Sequence, residues 1–286
     1  MNGTVKRSIF GVIFLAVMLG GLLFNKYLFS ILFFLITCGL LYEFFKMNRS
    51  STGNKEEERM GLIVSFSGAA LFLFSFFAYD KPSDYPFPPV PTVAVFLIVL
   101  FLGIAVRSII QSDKYGIRDT LPFYAGLIYI ALPMALSNAV VFRGGEYSGL
   151  LMVAFFCIIW ASDVGAYCFG MLLGQKVWPA KMCPSISPKK SWAGFIGGML
   201  MAMLAGYILY KTGLFAFPVW HALIVAAIMH VMGVFGDLFE SLWKRAAGIK
   251  DSGNIIPGHG GLMDRFDSAL FAIPAGYIYL LLFELV

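Results

Sequence analysis

Charge is scarce in this chain. Of its 286 residues only 13% are Asp, Glu, Lys or Arg, while 59% are hydrophobic and the mean hydropathy is +0.82. Soluble domains carry about 25% charged and about 45 to 50% apolar residues, so the composition excludes a soluble globular protein and points to an integral membrane one. Several motifs are missing as well. There is no GxxxxGK[ST] loop and no GxGxxG turn, which excludes nucleotide binding through a P-loop or a Rossmann fold. GxSxG is absent, which disfavours serine-elbow hydrolysis. The four cysteines, Cys38, Cys157, Cys168 and Cys183, show no CxxC spacing and read as packing residues. His221 and His230 have no Cys or acidic neighbour at ligand spacing, which argues against zinc.

Long hydrophobic runs dominate what is there. They cover approximately residues 8 to 24, 27 to 45, 61 to 79, 90 to 106, 121 to 142, 148 to 170, 193 to 210, 218 to 236 and 268 to 285. Each is close to the ~20 residues a helix needs to cross ~30 Å of hydrocarbon while satisfying its own backbone. The expected fold is therefore an all-α integral membrane protein of about nine transmembrane helices. It forms one membrane domain over 1–286, with a five-span region at 1–147 and a four-span region at 148–286. Lys6 and Arg7 precede the first run like a signal peptide, but no small-residue cleavage site precedes Asn25 and Lys26, so the run is expected to be retained.

Short loops rich in Lys and Arg stay in the cytoplasm. With the N-terminus inside, 17 of the 21 basic residues fall on the inner side, and only Lys26, Lys81, Arg143 and Lys211 fall outside. The net charge of +5 follows from this asymmetry; it argues weakly for anionic lipid and gives no reason to invoke nucleic acid. The loops at 46 to 59 and 80 to 91 read as solvated connectors, the second stiffened by five prolines.

Ionisable residues concentrate between 160 and 267, in four clusters. Asp163 in Ser162-Asp163-Val164-Gly165-Ala166-Tyr167 sits within an apolar span, where a charge costs at least ~2.5 kcal/mol and normally faces a polar cavity or a partner. A functional role and a buried structural hydrogen bond both fit. The run Ser187-Pro188-Lys189-Lys190-Ser191-Trp192 offers hydroxyls, fixed backbone and positive charge before a helix, ingredients for phosphate binding, although lysines at a membrane surface also serve as stop-transfer signals.

Asp237, Glu240, Ser241 and Lys244 fall at i, i+3, i+4 and i+7 and share one helix face. A Glu240–Lys244 salt bridge accounts for part of that face and leaves Asp237 unexplained. In the fourth cluster a glycine turn, Gly258-His259-Gly260-Gly261, leads to Asp264, Arg265 and Asp267. Glycines permit close backbone approach, and a few carboxylates with phosphate oxygens are what Mg²⁺ takes. His259 fits a general base, a polyphosphate contact or a turn hydrogen bond.

Residues 241 to 267 read S-x-x-K-R-x4-K-D-x-G-x2-I-P-x-H-G-G-x-x-D-R-x-D. This pattern resembles the signature of the CDP-diacylglycerol synthase (phosphatidate cytidylyltransferase) family. The segments at 162 to 167 and 186 to 194 are similar to that family's too, and the likeness covers roughly residues 150 to 286. Trp243 stands where the family more often has an aliphatic residue or Phe, and Ala193 where it often has an acid.

The resemblance implies transfer of a cytidylyl group from CTP to phosphatidic acid, giving CDP-diacylglycerol and pyrophosphate, with Mg²⁺ in a two-cation centre. It implies Asp237 and Asp264 as metal ligands, with Asp267 and Asp163 supporting them or touching substrate. Lys189, Lys190, Lys244, Arg245, Lys250 and Arg265 would hold the triphosphate and the lipid phosphate, together with Ser187, Ser241, Gly260 and Gly261. His259 would bind or protonate pyrophosphate. A site on the cytoplasmic side, open to the inner leaflet of a bacterial inner membrane, is expected, and a homodimer is left open.

A transporter would spread its charges through the membrane depth, whereas here they gather at one surface. The D-G-x2-A-R-x8-G-x3-D-x3-D pattern of CDP-alcohol phosphatidyltransferases is absent. Another lipid phosphate, such as a polyisoprenyl phosphate, remains an alternative acceptor.

Overall fold

The computed structural model describes residues 3–48, 55–84, 88–110, 117–143, 145–175, 177–253 and 260–286. The helices are α1 Gly3–Leu23, α2 Lys26–Met47, α3 Lys55–Asp80, α4 Pro89–Ile110, α5 Ile117–Gly126, α6 Leu132–Val141, α7 Leu150–Leu172, α8 Trp192–Lys211, α9 Val219–Ala246 and α10 Met263–Leu282. Among the described residues, eight segments are helical, long and apolar enough to cross a membrane; Phe10–Leu23 is a shorter apolar helix. This is an all-α, multi-pass membrane architecture.

Three features depart from the sequence expectation. A π-turn, Leu127–Ala131, joins α5 to α6 inside the fifth span. Pro133 follows it, and because proline offers no N–H the backbone widens there, with the Leu132 N–H bonding to the Leu127 carbonyl. Second, α9 runs ten residues past the expected end at 236, and α10 starts five residues before 268. The charged residues at both ends are thus helical, since paired charges compensate for their poor match to hydrocarbon. Third, two short antiparallel hairpins appear, β1 Phe142–Arg143 with β2 Glu146–Tyr147, and β3 Lys181–Cys183 with β4 Ser187–Ser191. Pro184, Ser185 and Ile186 supply the turn of the second.

The described chain divides into two compact units, residues 1–148 with 251–263, and residues 149–250 with 264–286. In the first, α2, α3 and α6 pack around Phe29, Phe33, Leu40, Leu41, Leu71 and Phe72, all buried. Ser75 Oγ donates to the Ala135 carbonyl at 2.9 Å and Asn138 Nδ2 to the Phe72 carbonyl at 3.1 Å, pinning α6 to α3. Lys26 and Asp80 close one end with a 2.6 Å ion pair.

In the second unit the helices approach through small residues. A Cβ on Gly165 would come within 2.6 Å of the Gly197 carbonyl, and one on Gly197 would enter the Phe169 ring. Gly198 lies against His230 in the same way, and Gly206 against the Ala222 backbone. Lipid tails are as apolar as these helices, so the association rests on close van der Waals packing, which bare glycine backbones permit.

Candidate active site

Four segments of the second unit supply the polar residues. On α9, one face carries Asp237, Glu240, Ser241 and Lys244, and the contacts follow the helical spacing. Ser241 Oγ donates to Asp237 Oδ1 at 3.3 Å, and Lys244 Nζ donates to Glu240 Oε2 at 2.7 Å. The salt bridge anticipated between Glu240 and Lys244 is therefore present. Lys244 also reaches α10, donating to Asp264 Oδ1 at 2.6 Å.

Gly236 sets the approach of α10. A Cβ there would collide with the Asp267 backbone carbonyl, so its absence lets the two helices touch one residue before Asp237. As a result, carboxylate oxygens of Asp237, Glu240 and Asp267 lie within 4.8 Å of one another. At that spacing two like charges repel by roughly 3 kcal/mol at an effective dielectric of ~20. Such a group needs protons or cations. Glu240 is fully buried, whereas Asp237 and Asp267 keep partly open faces.

The third segment is β4. Ser191 caps α8, its Oγ accepting from the Gly194 N–H at 3.2 Å, which fixes the chain just after Lys190. Lys190 Nζ then lies 2.7 Å from Asp237 Oδ2 and 3.3 Å from the Val234 carbonyl. Lys189, next along the strand, points to the other face and is exposed, while Ser187 is half-buried. The fourth segment is α7, where Asp163 lies within electrostatic reach of Asp237, Lys190 and Arg265. Beside it, Ser162 Oγ and His230 Nδ1 form a buried 2.7 Å hydrogen bond.

The structure brings Asp163, Lys190, Asp237, Lys244 and the α10 aspartates together, whereas Lys189 stays outside the group. Other residues lie differently. Arg245 is exposed and donates to the carbonyls of Ile249 and Ile186 at 3.1 and 3.4 Å, bracing the end of α9 against the hairpin. Lys250 and Arg265 are exposed. Gly260 and Gly261 belong to the first unit; Gly260 has φ +82°, and Gly261 packs on Ser252. His259 lies outside the described residues.

The sequence paired Asp237 with Asp264 as metal ligands, whereas the geometry groups Asp237 with Glu240 and Asp267 and places Asp264 on Lys244. From sequence, Glu240 is accounted for by its salt bridge to Lys244. Its spacing of three from Asp237 was visible, but which face α10 would meet was not. The donor set is all oxygen, which suits a hard divalent cation such as Mg²⁺.

A helical membrane protein with a carboxylate cluster flanked by lysines is the class this geometry defines. Residues 5 to 283 match the model of the cytidylyltransferase family, and the chain belongs to that family. It is 31% identical over 282 residues to the phosphatidate cytidylyltransferase of Bacillus subtilis (strain 168), covering 98% of each chain. It is 42% identical over 179 residues to that of Staphylococcus saprophyticus, covering 62% of this chain and 65% of that one.

Proposed function

We propose that this chain transfers the cytidylyl group of CTP to phosphatidic acid, forming CDP-diacylglycerol and pyrophosphate for phospholipid synthesis. The observation that carries the reading is the Asp237–Glu240–Asp267 cluster, bordered by Lys190 and Lys244, in a chain that matches the cytidylyltransferase family over residues 5 to 283. A phosphate oxygen of phosphatidic acid attacks the α-phosphorus of CTP; the bond to the bridging oxygen of the β-phosphate breaks, and pyrophosphate leaves. The attacking phosphate is already ionised, so no general base is required. Catalysis then rests on positioning and charge neutralisation.

Asp237, Glu240 and Asp267 would hold Mg²⁺, which when bound neutralises phosphate oxygens. Asp264 stays in the proposed ligand set: an arriving phosphate competes for Lys244 and releases the Asp264 carboxylate. Lys190 and Lys244 orient the triphosphate, Arg265, Lys250 and Lys189 give the exposed approach a positive charge, and Asp163 contacts substrate.

Nine spans with the N-terminus in the cytoplasm put this face where CTP is, as the distribution of 17 of 21 basic residues supports. The lipid head enters from the inner leaflet of a bacterial inner membrane. The test is purified protein in lipid nanodiscs with labelled CTP, Mg²⁺ and either phosphatidic acid or a polyisoprenyl phosphate. A labelled CDP-lipid with phosphatidic acid is the expected result. Label transferred only to the polyisoprenyl acceptor, or to neither, overturns the assignment.

A further inference from the structure

Glu43 lies near the C-terminal end of an apolar helix, α2, and is 1% exposed. A carboxylate in such a segment is costly unless it is partnered. Its partners are Ser252 and the first residue of α10, Met263. Glu43 Oε2 accepts from Ser252 Oγ at 3.1 Å and from the backbone N–H of Met263 at 2.8 Å. These two donors flank the stretch 253 to 262, so one carboxylate holds both ends of it.

The described residues at both ends of that stretch are shaped to this side chain. A Cβ on Gly253 would come within 2.9 Å of Glu43 Cδ, and one on Gly261 would overlap Ser252 Oγ and crowd Glu43 Oε2. Leu262 sits one turn away along α2, where a Cβ on Gly39 would meet its Cδ2 at 2.6 Å. Gly39 and Glu43, at i and i+4, thus form one receiving face. Gly253 and Gly261 are bare there because Glu43 occupies the space their side chains would need.

Met263 is the first residue of α10, the helix that carries Asp264, Arg265 and Asp267. Its N–H is one of the donors a helix start leaves without an intrahelical partner, and a carboxylate at that end also complements the helix dipole. We infer that Glu43 is a positioning residue: from α2 it ties Ser252 to Met263 and caps the first residue of α10, setting the start of the helix that bears Asp264 and Asp267. This gives the N-terminal spans a part in the reaction, and its kinetic arm rests on the function proposed above.

The test compares Glu43→Ala, Glu43→Gln and Ser252→Ala, each purified in detergent, by hydrogen exchange of the peptide covering 251 to 263 and by kcat and KM per folded enzyme. Glu43→Ala is expected to raise exchange in that peptide by about tenfold or more. It should lower kcat by about 10²-fold, with KM for CTP moving far less, as a misplaced reacting group does. Gln keeps an acceptor of the same size and should restore both to within about threefold.

Exchange in Glu43→Ala equal to wild type overturns the clamp. So does a loss of thermal stability with unchanged kcat per folded molecule. If Glu43→Ala does not fold, Ser252→Ala decides, with faster exchange supporting the clamp and unchanged exchange overturning it. Wild-type protein that makes no CDP-lipid sinks the proposed function, while the exchange measurement still judges the tether.

Discussion

Lys190 on β4 and Asp237 on α9 form a 2.7 Å ion pair. The pair joins the lysine-bearing strand of the second hairpin to the carboxylate cluster. Lys190 also donates to the Val234 carbonyl, which holds it in place when Asp237 is engaged elsewhere.

Asp237→Asn removes one charge from the cluster while keeping its shape. Turnover should fall by at least about 10²-fold, the usual scale for a lost transition-state charge contact. Steady-state assays at rising Mg²⁺ check this, and full activity in the variant would remove Asp237 from the cation site.

Lys190→Ala leaves Asp237 partly solvated, so folding should change little. The loss should appear in KM for CTP and in kcat together. A variant with wild-type kinetics would assign Lys190 to the ion pair alone.

Lys244→Met leaves Glu240, fully buried, without its partner. Removing one member of a buried pair costs about 3–5 kcal/mol, so the thermal midpoint in detergent should drop sharply. Adding Glu240→Gln should restore part of it, because one of the two carboxylates that Lys244 neutralises is then uncharged. The double variant should stay inactive.

Gly165→Val would drive a branched side chain into the Gly197 carbonyl and Met201. Overpacking of this kind typically costs about 1–3 kcal/mol and forces α7 from α8. Reduced thermal stability with loss of turnover is expected, since α7 bears Asp163.

Treatment with EDTA should abolish turnover, and Mg²⁺ added back should restore it. Restoration in wild type but not in Asp267→Asn would place that carboxylate among the ligands.

Membrane character, the run of helices and the identity of the polar motifs were legible in the sequence because each depends on local composition. Period and spacing put Asp237, Glu240, Ser241 and Lys244 on one face, and the Glu240–Lys244 bond follows from that alone. Glu43 carried the same signal as Asp163, an acid within an apolar run, but its partner Met263 is 220 residues away and no local pattern names it.

Which carboxylates meet was decided only in three dimensions. Asp264 and Asp267 are three residues apart on one helix and equally plausible as ligands. The bare backbone of Gly236 lets α10 close on α9 at the level where Asp267 joins Asp237 and Glu240, and Lys244 takes Asp264. Sequence determines which residues lie along each helix, whereas the distance and rotation at which two helices pack determine which of them share a site.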